Sequence, residues 1–332
     1  MPPSITVLGA GSWGTALAIQ AARNDCQTML WGHNPAHIAS ISLHRENQRY
    51  LPGITLPTQL QVTDSLESAL ANSQLILISV PSHAFKSTLL EIKPLLSPSA
   101  QIAWATKGFD REKGELLSVV TANILGNQIE TAVLSGPTFA KEVAQDLPTA
   151  VTIASTSDTF ATQLAQIFHK HCFRTYTSHD MIGVQVGGAS KNVLAIAAGI
   201  ADGLGFGANT RAALITRGLS EIMRLGTKLG GQADTFMGLA GLGDLILTCT
   251  DNQSRNRRYG LALGQGQSHE EAITAIDQAV EGIAAAREAY LLSQKHQVEM
   301  PITEQVYKVL FENLPPRQAV QNLLNRDQKA EI

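Results

Sequence analysis

The 332 residues carry a net charge of −3 with 44% hydrophobic and 16% charged residues, the balance of an ordinary globular chain. That charge excludes a general attraction to nucleic acid or an anionic membrane, so any basic site must be local. Three widely spaced cysteines (Cys26, Cys172 and Cys249) argue against a disulfide framework and fit a reducing cytosol. The N-terminus lacks the cationic start of a signal peptide and no segment approaches bilayer-spanning length, so a cytoplasmic protein of two domains is expected.

The chain opens on an apolar run, Ile5–Leu8, then Gly9-Ala-Gly11-Ser12-Trp13-Gly14 and a helical segment over Gly14–Ala22. A G-x-G-x-x-G sequence between strand and helix is the fingerprint of dinucleotide binding. Gly9 makes the tight turn, Gly11 lets a pyrophosphate approach the backbone, and Gly14 permits close helix–strand packing. The free N–H groups of the helix N-terminus then face the phosphates. The next strand, Thr28–Trp31, runs into Gly32-His33-Asn34. A strict NAD enzyme places an acid there for the ribose 2′-OH. Its absence predicts that NADP(H) is favoured and NAD(H) also used, with His33, Arg45 and Arg49 available to a 2′-phosphate.

Further apolar runs follow at Leu75–Val80, Ile102–Trp104, Ala132–Leu134, Ala150–Ala154 and Phe173–Tyr176. They alternate with helical segments at Pro35–Arg45, His83–Ile92, Leu116–Leu125 and 158–169. Continuous rather than alternating apolar runs are expected of parallel strands buried on both faces. The fold class is therefore α/β, with a Rossmann-type doubly wound parallel sheet over residues 1–178. After 178 only helical patterns remain: 180–203, 209–230, 233–238, 258–264, 268–274, 281–296, 302–311 and 315–325. Residues 179–332 are expected to form an all-α substrate-binding and catalytic domain.

Ligands of open α/β sheets bind beyond the carboxyl ends of the strands. Three loops end strands there: Val80-Pro-Ser-His83, Ala105-Thr-Lys107-Gly108 and Ser135-Gly136-Pro-Thr138-Phe-Ala140-Lys-Glu142. Gly108 lets the chain turn away and leave the Lys107 amine facing the crevice. Within the first long helix of the second half stands Gly187-Gly188-Ala-Ser-Lys191-Asn192. Glycine inside a helix costs about 1 kcal/mol relative to alanine, so the pair implies close approach of another backbone or of a nicotinamide. Val184, Gly188, Lys191 and Ala195 share one face, which places Lys191 on an otherwise apolar stripe. Further on, Gly241-Leu-Gly-Asp244-Leu-Ile-Leu-Thr248 precedes Asp251-Asn-Gln-Ser254-Arg255-Asn256-Arg257-Arg258. Such a cluster suits a small anion, because the planar fork of arginine donates paired bonds to a phosphate. Arg257 and Arg258 have two readings, solvent or the 2′-phosphate of the cofactor, and the sequence does not choose. His169-Lys-His171-Cys172 reads as a helix terminus, and no metal site is expected.

Taken together these motifs, with Tyr50-Leu-Pro-Gly53, Gly205-Phe-Gly-Ala-Asn209 and Val280-Glu-Gly282, resemble the bacterial-type NAD(P)-dependent glycerol-3-phosphate dehydrogenases over nearly the whole chain. The resemblance implies interconversion of dihydroxyacetone phosphate and sn-glycerol 3-phosphate, supplying glycerophospholipid synthesis. It implies Lys191 as general acid/base among Lys107, Asn192, Asp244 and Thr248. Substrate contacts are implied for Lys107, Gly136, Thr138, Lys191, Asp244, Ser254, Arg255 and Asn256. Cofactor contacts are implied for Gly9, Gly11, Ser12, Trp13, Gly14, His33, Lys107, Ala140, Arg255, Ala279 and Glu281. Position 279 is Ala where relatives often carry Val. A homodimer is an expectation from the family alone.

The chemistry agrees. Oxidising a secondary alcohol removes a hydride and a proton, and a positioned side chain must take the proton. An amine of ordinary pKa about 10.4 is a poor base near neutrality. Burial and the Lys107 cation would lower that value while Asp244 would raise it. Two other functions compete: a β-hydroxyacid or phosphogluconate-type dehydrogenase, and a non-catalytic NAD(P)-binding regulator. The first would read a carboxylate, and the second has no need of both Lys191 and Asp244.

Overall fold

Chain segments with continuous apolar runs assemble into one sheet. The computed structural model describes residues 4–71, 73–170 and 172–328. Among them are eight strands: β1 (Ser4–Leu8), β2 (Gln27–Trp31), β3 (Leu60–Thr63), β4 (Leu75–Ile78), β5 (Gln101–Trp104), β6 (Thr131–Ser135), β7 (Thr149–Ser155) and β8 (Phe173–Ser178). Their order is β3-β2-β1-β4-β5-β6-β7-β8. Helices α1 (Ser12–Arg23), α2 (Pro35–His44), α3 (Leu66–Leu70), α4 (Ser82–Ile92), α5 (Leu117–Leu125), α6 (Ala140–Ala144) and α7 (Asp158–Phe168) lie between them along the chain. The strands β1 and β4, with Ile5, Val7, Leu75 and Leu77 almost wholly buried, run through the core.

All neighbouring strands are parallel except β6 and β7, so the expected parallel sheet carries one antiparallel pair. The connection from Ser135 to Thr149 explains it. Its only helix, α6, has five residues and spans about 7.5 Å, less than half of the roughly 16 Å covered by a five-residue strand. The chain therefore enters β7 from the carboxyl end of β6. Strand β3 was not expected, because this four-residue edge strand buries only its first residue fully and shows no continuous apolar run.

The remaining helices are α8 (Met181–Gly203), α9 (Ala208–Lys228), α10 (Ala233–Met237), α11 (Asp244–Thr250), α12 (Arg255–Gly264), α13 (His269–Ile276), α14 (Glu281–His296), α15 (Pro301–Phe311) and α16 (Pro316–Leu324). Two features differ from expectation. Helix α12 begins at Arg255 rather than 258, because the Ser254 side chain caps it by accepting from Arg257 N at 3.2 Å. A π-type turn over Leu239–Gly243, closed by Gly243 N donating to Gly238 O at 3.1 Å, leads into α11, where no helix was predicted.

Helix α8 is long and apolar enough to cross a membrane, contrary to the expectation that no segment approaches that length. Its apolar window is 94% buried inside the protein, which is the setting of a core helix. The chain divides into two compact units. One runs to Asp110 and again from Glu115 to Gln185; the other takes Arg111–Gly114 and the chain from Val186 onward.

Candidate active site

In the first unit the glycine loop follows β1, which lies between β2 and β4 where the strand order reverses. Gly9 has φ of 122°, and a Cβ there would sit 2.6 Å from Ser79 O, so both conformation and space require glycine. A Cβ at Gly11 would meet nothing within 4 Å, which leaves open space against the backbone. Gly14 packs directly on the Gly9 carbonyl. No side chain caps α1 and its first turn holds no acid, so its leading N–H groups and dipole suit an anion. The buried indole Nε1 of Trp13 has no hydrogen-bond partner among the described residues. An open cradle over uncapped N–H groups fits the pyrophosphate of a dinucleotide.

The loop is held from outside. Asn47, fully buried, donates to Ala10 O at 3.0 Å and Thr15 Oγ1 at 2.8 Å, while its Oδ1 accepts from Tyr50 N at 3.2 Å. Ser12 Oγ donates to Tyr50 O at 2.7 Å. Sequence reasoning passed over Asn47, since one asparagine in a polar loop carries no signal. At the end of β2, His33 is exposed and Asn34 caps α2 by accepting from His37 N at 3.1 Å. Arg45 donates to Leu60 O at 3.0 Å and Pro57 O at 2.5 Å, so it is committed to the chain rather than to a 2′-phosphate. The Arg49 guanidinium lies 5.1 Å over the Tyr50 ring.

The loops after β4, β5 and β6 are tied together. Thr106 Oγ1 donates to Val80 O at 2.7 Å, Lys107 Nζ to Gly136 O at 3.4 Å, and Thr138 Oγ1 to Gly136 O at 3.1 Å. Ala140 opens α6 just beyond. His169 Nδ1 pairs with Thr175 Oγ1 at 3.1 Å beyond the end of α7, and His171 lies outside the described residues.

The second unit holds the reactive cluster. Lys191, in the middle of α8, is only 6% exposed, and its Nζ donates to Asp244 Oδ1 and, at 3.0 Å, to Thr248 Oγ1. Asp244 is fully buried and stands at the first position of α11, where the helix dipole favours a carboxylate. Thr248 follows one turn later on the same face and donates to Asp244 O at 2.6 Å, so its lone pairs serve the amine. A Cβ at Gly187 would come 2.5 Å from Ala240 O, so backbone approach by the π-type turn accounts for this glycine. Asn192 is buried beside Lys191. The next residue along from Thr248, Cys249, is an inert thiol: burial pushes it up to about 12, against the Lys191 and Arg257 charges.

The anion-binding residues open α12. Arg255 and Asn256 are its first two residues, and because the Ser254 cap takes the N–H of Arg257, their own two N–H groups are the ones left to add to their side chains. Asn256 Oδ1 accepts from Gly282 N at 2.9 Å, which fixes the amide so that its Nδ2 is the donor it offers elsewhere. Arg255 is half-buried, with Nη1 3.4 Å from Gln278 Oε1; Ala279 is exposed and Glu281 begins α14. Arg258 is exposed to solvent, whereas Arg257 is buried and ion-paired with Asp202 Oδ2 at 2.5 Å. Neither of the two sequence readings describes Arg257. No signal marked its partner, 55 residues away.

A cavity of about 520 Å³ in the second unit is lined by Ile200, Leu214, Glu221, Ile302, Val306 and Leu323, and none of the reactive residues borders it. Glu221 there accepts from Ile302 N at 2.6 Å and from Thr303 N and Oγ1 at 3.1 and 3.0 Å. Burial pushes its carboxyl up to about 7, against those hydrogen bonds and the Arg224 charge.

An open, mostly parallel sheet with a glycine-rich phosphate loop after its first strand, in a chain that buries an amine against a carboxylate, defines a nicotinamide-dependent oxidoreductase. Models of the NAD-dependent glycerol-3-phosphate dehydrogenase N-terminus and C-terminus match residues 4–161 and 180–321. The chain belongs to the NAD-dependent glycerol-3-phosphate dehydrogenase family and is an NAD(P)-dependent oxidoreductase. It is 57% identical to glycerol-3-phosphate dehydrogenase [NAD(P)+] of Pseudoalteromonas translucida, across 99% of this chain and 98% of the relative. The crystal structure of glycerol-3-phosphate dehydrogenase from Coxiella burnetii matches with a TM-score of 0.95 and 49% identity, covering 98% of this chain and 99% of that one. The Saccharomyces cerevisiae enzyme matches at a TM-score of 0.84 and 26% identity, over 98% and 100% of the two chains.

Proposed function

We propose that the protein interconverts dihydroxyacetone phosphate and sn-glycerol 3-phosphate, with Lys191 as its general acid/base. The observation that carries this reading is a lysine buried inside a helix and held by Asp244 and Thr248. A buried ammonium is costly unless paired, so a surface role for Lys191 has no support. Nicotinamide, when bound, supplies or takes up the hydride. Lys191 gives a proton to the ketone oxygen in reduction and removes the hydroxyl proton in oxidation. Asp244 and Thr248 orient the amine, and Asn192 stands beside it.

Arg255, Asn256 and Ser254 grip the phosphate at the start of α12. Lys107, Gly136 and Thr138 are assigned to the substrate by family resemblance, and Gly9, Gly11, Ser12, Trp13, Gly14, His33, Lys107, Ala140, Arg255, Ala279 and Glu281 to the dinucleotide. The strand-bearing part to about residue 178 is the dinucleotide domain and the helical remainder the substrate domain. NADPH is preferred over NADH, since no acid follows Trp31 to oppose a 2′-phosphate. The enzyme works in the cytoplasm and its product feeds glycerophospholipid synthesis.

The test follows nicotinamide absorbance with dihydroxyacetone phosphate, unphosphorylated dihydroxyacetone and a β-keto acid. The phosphorylated ketone is expected to be turned over with by far the highest kcat/KM. Preference for the keto acid would favour a β-hydroxyacid dehydrogenase instead.

A further inference from the structure

We propose that Arg257, a residue outside the catalytic cluster and the phosphate grip, is the positioning residue that sets the spacing between the two. It rests on the reading that Arg255 and Asn256 hold the substrate phosphate. Three different nitrogens of its guanidinium reach three separate parts of the chain. Nε donates to Cys249 O at 3.1 Å, Nη1 to Asn252 Oδ1, and Nη2 to Asp202 Oδ2 at 2.5 Å.

Each of these bonds fixes something the reaction uses. Cys249 O is among the last carbonyls of α11, which have no partner within the helix, so Arg257 caps the end of the helix that carries Asp244 and Thr248. Asn252 lies in the turn that leads to Ser254. Asp202 stands near the end of α8, the helix that carries Lys191, and also accepts both Arg211 contacts, at 2.9 and 3.0 Å. Arg257 itself directly follows Arg255 and Asn256. One planar fork thus joins the acid/base helix, the orienting helix and the first turn of the phosphate-binding helix. The glycine seam below leaves little slack: a Cβ at Gly203 would lie 2.9 Å from Gly264 Cα, so α8 and α12 touch backbone to backbone.

Lysine cannot replace this arrangement. It keeps the charge but is a point donor and lacks the fixed fork that reaches three acceptors at once. Arg257→Lys therefore separates positioning from electrostatics.

The experiment measures kcat/KM at saturating NADPH for dihydroxyacetone phosphate and for unphosphorylated dihydroxyacetone, in the parent, Arg257→Lys, Arg257→Gln and Arg255→Ala. The ratio of the two values is expected to fall at least about tenfold in both Arg257 variants, the loss lying in KM for the phosphorylated ketone, with the NADPH dissociation constant unchanged. A residue that only stabilised the fold would lower both substrates alike and be rescued by lysine. An unchanged ratio in Arg257→Lys, whatever its melting temperature, overturns the inference. Should Arg257→Gln fail to fold, Arg257→Lys alone decides. If Arg255→Ala leaves the ratio intact, the phosphate grip itself is wrong. If Arg255→Ala collapses it while Arg257→Lys does not, only the positioning role falls.

Discussion

Gly282→Ala adds one carbon at a point where three functional elements meet. The added Cβ would lie 2.8 Å from Asn192 O, Asn256 Oδ1 and Ile196 Cδ1, where ordinary contact begins at 3.4 Å. Each neighbour must therefore yield by about 0.6 Å, from 2.8 to 3.4 Å. Ile196 can rotate. Asn192 O belongs to α8 backbone and Asn256 Oδ1 is held by the Gly282 N–H itself, so neither moves freely. Helix propensity alone favours alanine by up to about 1 kcal/mol, whereas overpacking costs roughly 1–3 kcal/mol; packing decides the sign. Because a misplacement of about 1 Å can cost on the order of 100-fold in rate, kcat/KM for dihydroxyacetone phosphate should fall at least about tenfold. Steady-state rates from nicotinamide absorbance, with NADPH affinity from fluorescence titration, measure it. A Gly282→Ala enzyme with parental kcat/KM and melting temperature would refute the crowding at this junction and the role given to Asn256.

Two further outcomes follow from charge. Glu221 has its carboxyl raised from 4.5 to about 7, so the folded state holds the proton more tightly than the unfolded chain. Its contribution to stability is fully present below about pH 4.5 and is lost as pH rises through about 7, a loss of roughly 3 kcal/mol. Urea midpoints of the parent should decline over that range relative to Glu221→Gln; identical slopes would remove the basis for a neutral buried Glu221. At the end of β2, His33→Asp should lower the ratio of kcat/KM for NADPH over NADH by about tenfold, equivalent to about 1.4 kcal/mol, through repulsion of the 2′-phosphate. An unchanged ratio would place cofactor discrimination elsewhere.

Much of this was legible in the sequence because burial on both faces leaves continuous apolar runs, as in Leu75–Ile78, and because Gly9, Gly11 and Gly14 obey a fixed spacing. Strand β3 was not, since an edge strand shows no such run. The antiparallel turn into β7 was hidden too, because it depends on how far a five-residue helix can carry the chain back. Helix α11 was obscured by Gly241 and Gly243, which read as loop but lie in a π-type turn that delivers Asp244 to Lys191. Lys191, Asp244 and Thr248 could be named from motifs, but their contact could not be derived from spacing. Asn47 carried no signal, and Arg257 was read only as facing solvent or the 2′-phosphate, because the partners Ala10, Thr15 and Asp202 lie 37, 32 and 55 residues away.

Everything in the mechanism turns on the Lys191 amine. Lys191→Ala, assayed for NADPH oxidation with dihydroxyacetone phosphate and for NADPH binding by fluorescence titration, isolates it. General acid–base groups typically contribute about 10²–10⁴-fold, so kcat should fall at least 100-fold while NADPH affinity stays within about twofold. Lys191→Arg should not restore the rate, because a guanidinium does not release its proton near neutral pH. Near-parental turnover in folded Lys191→Ala would contradict the assignment and move proton transfer to another group, Lys107 first among them.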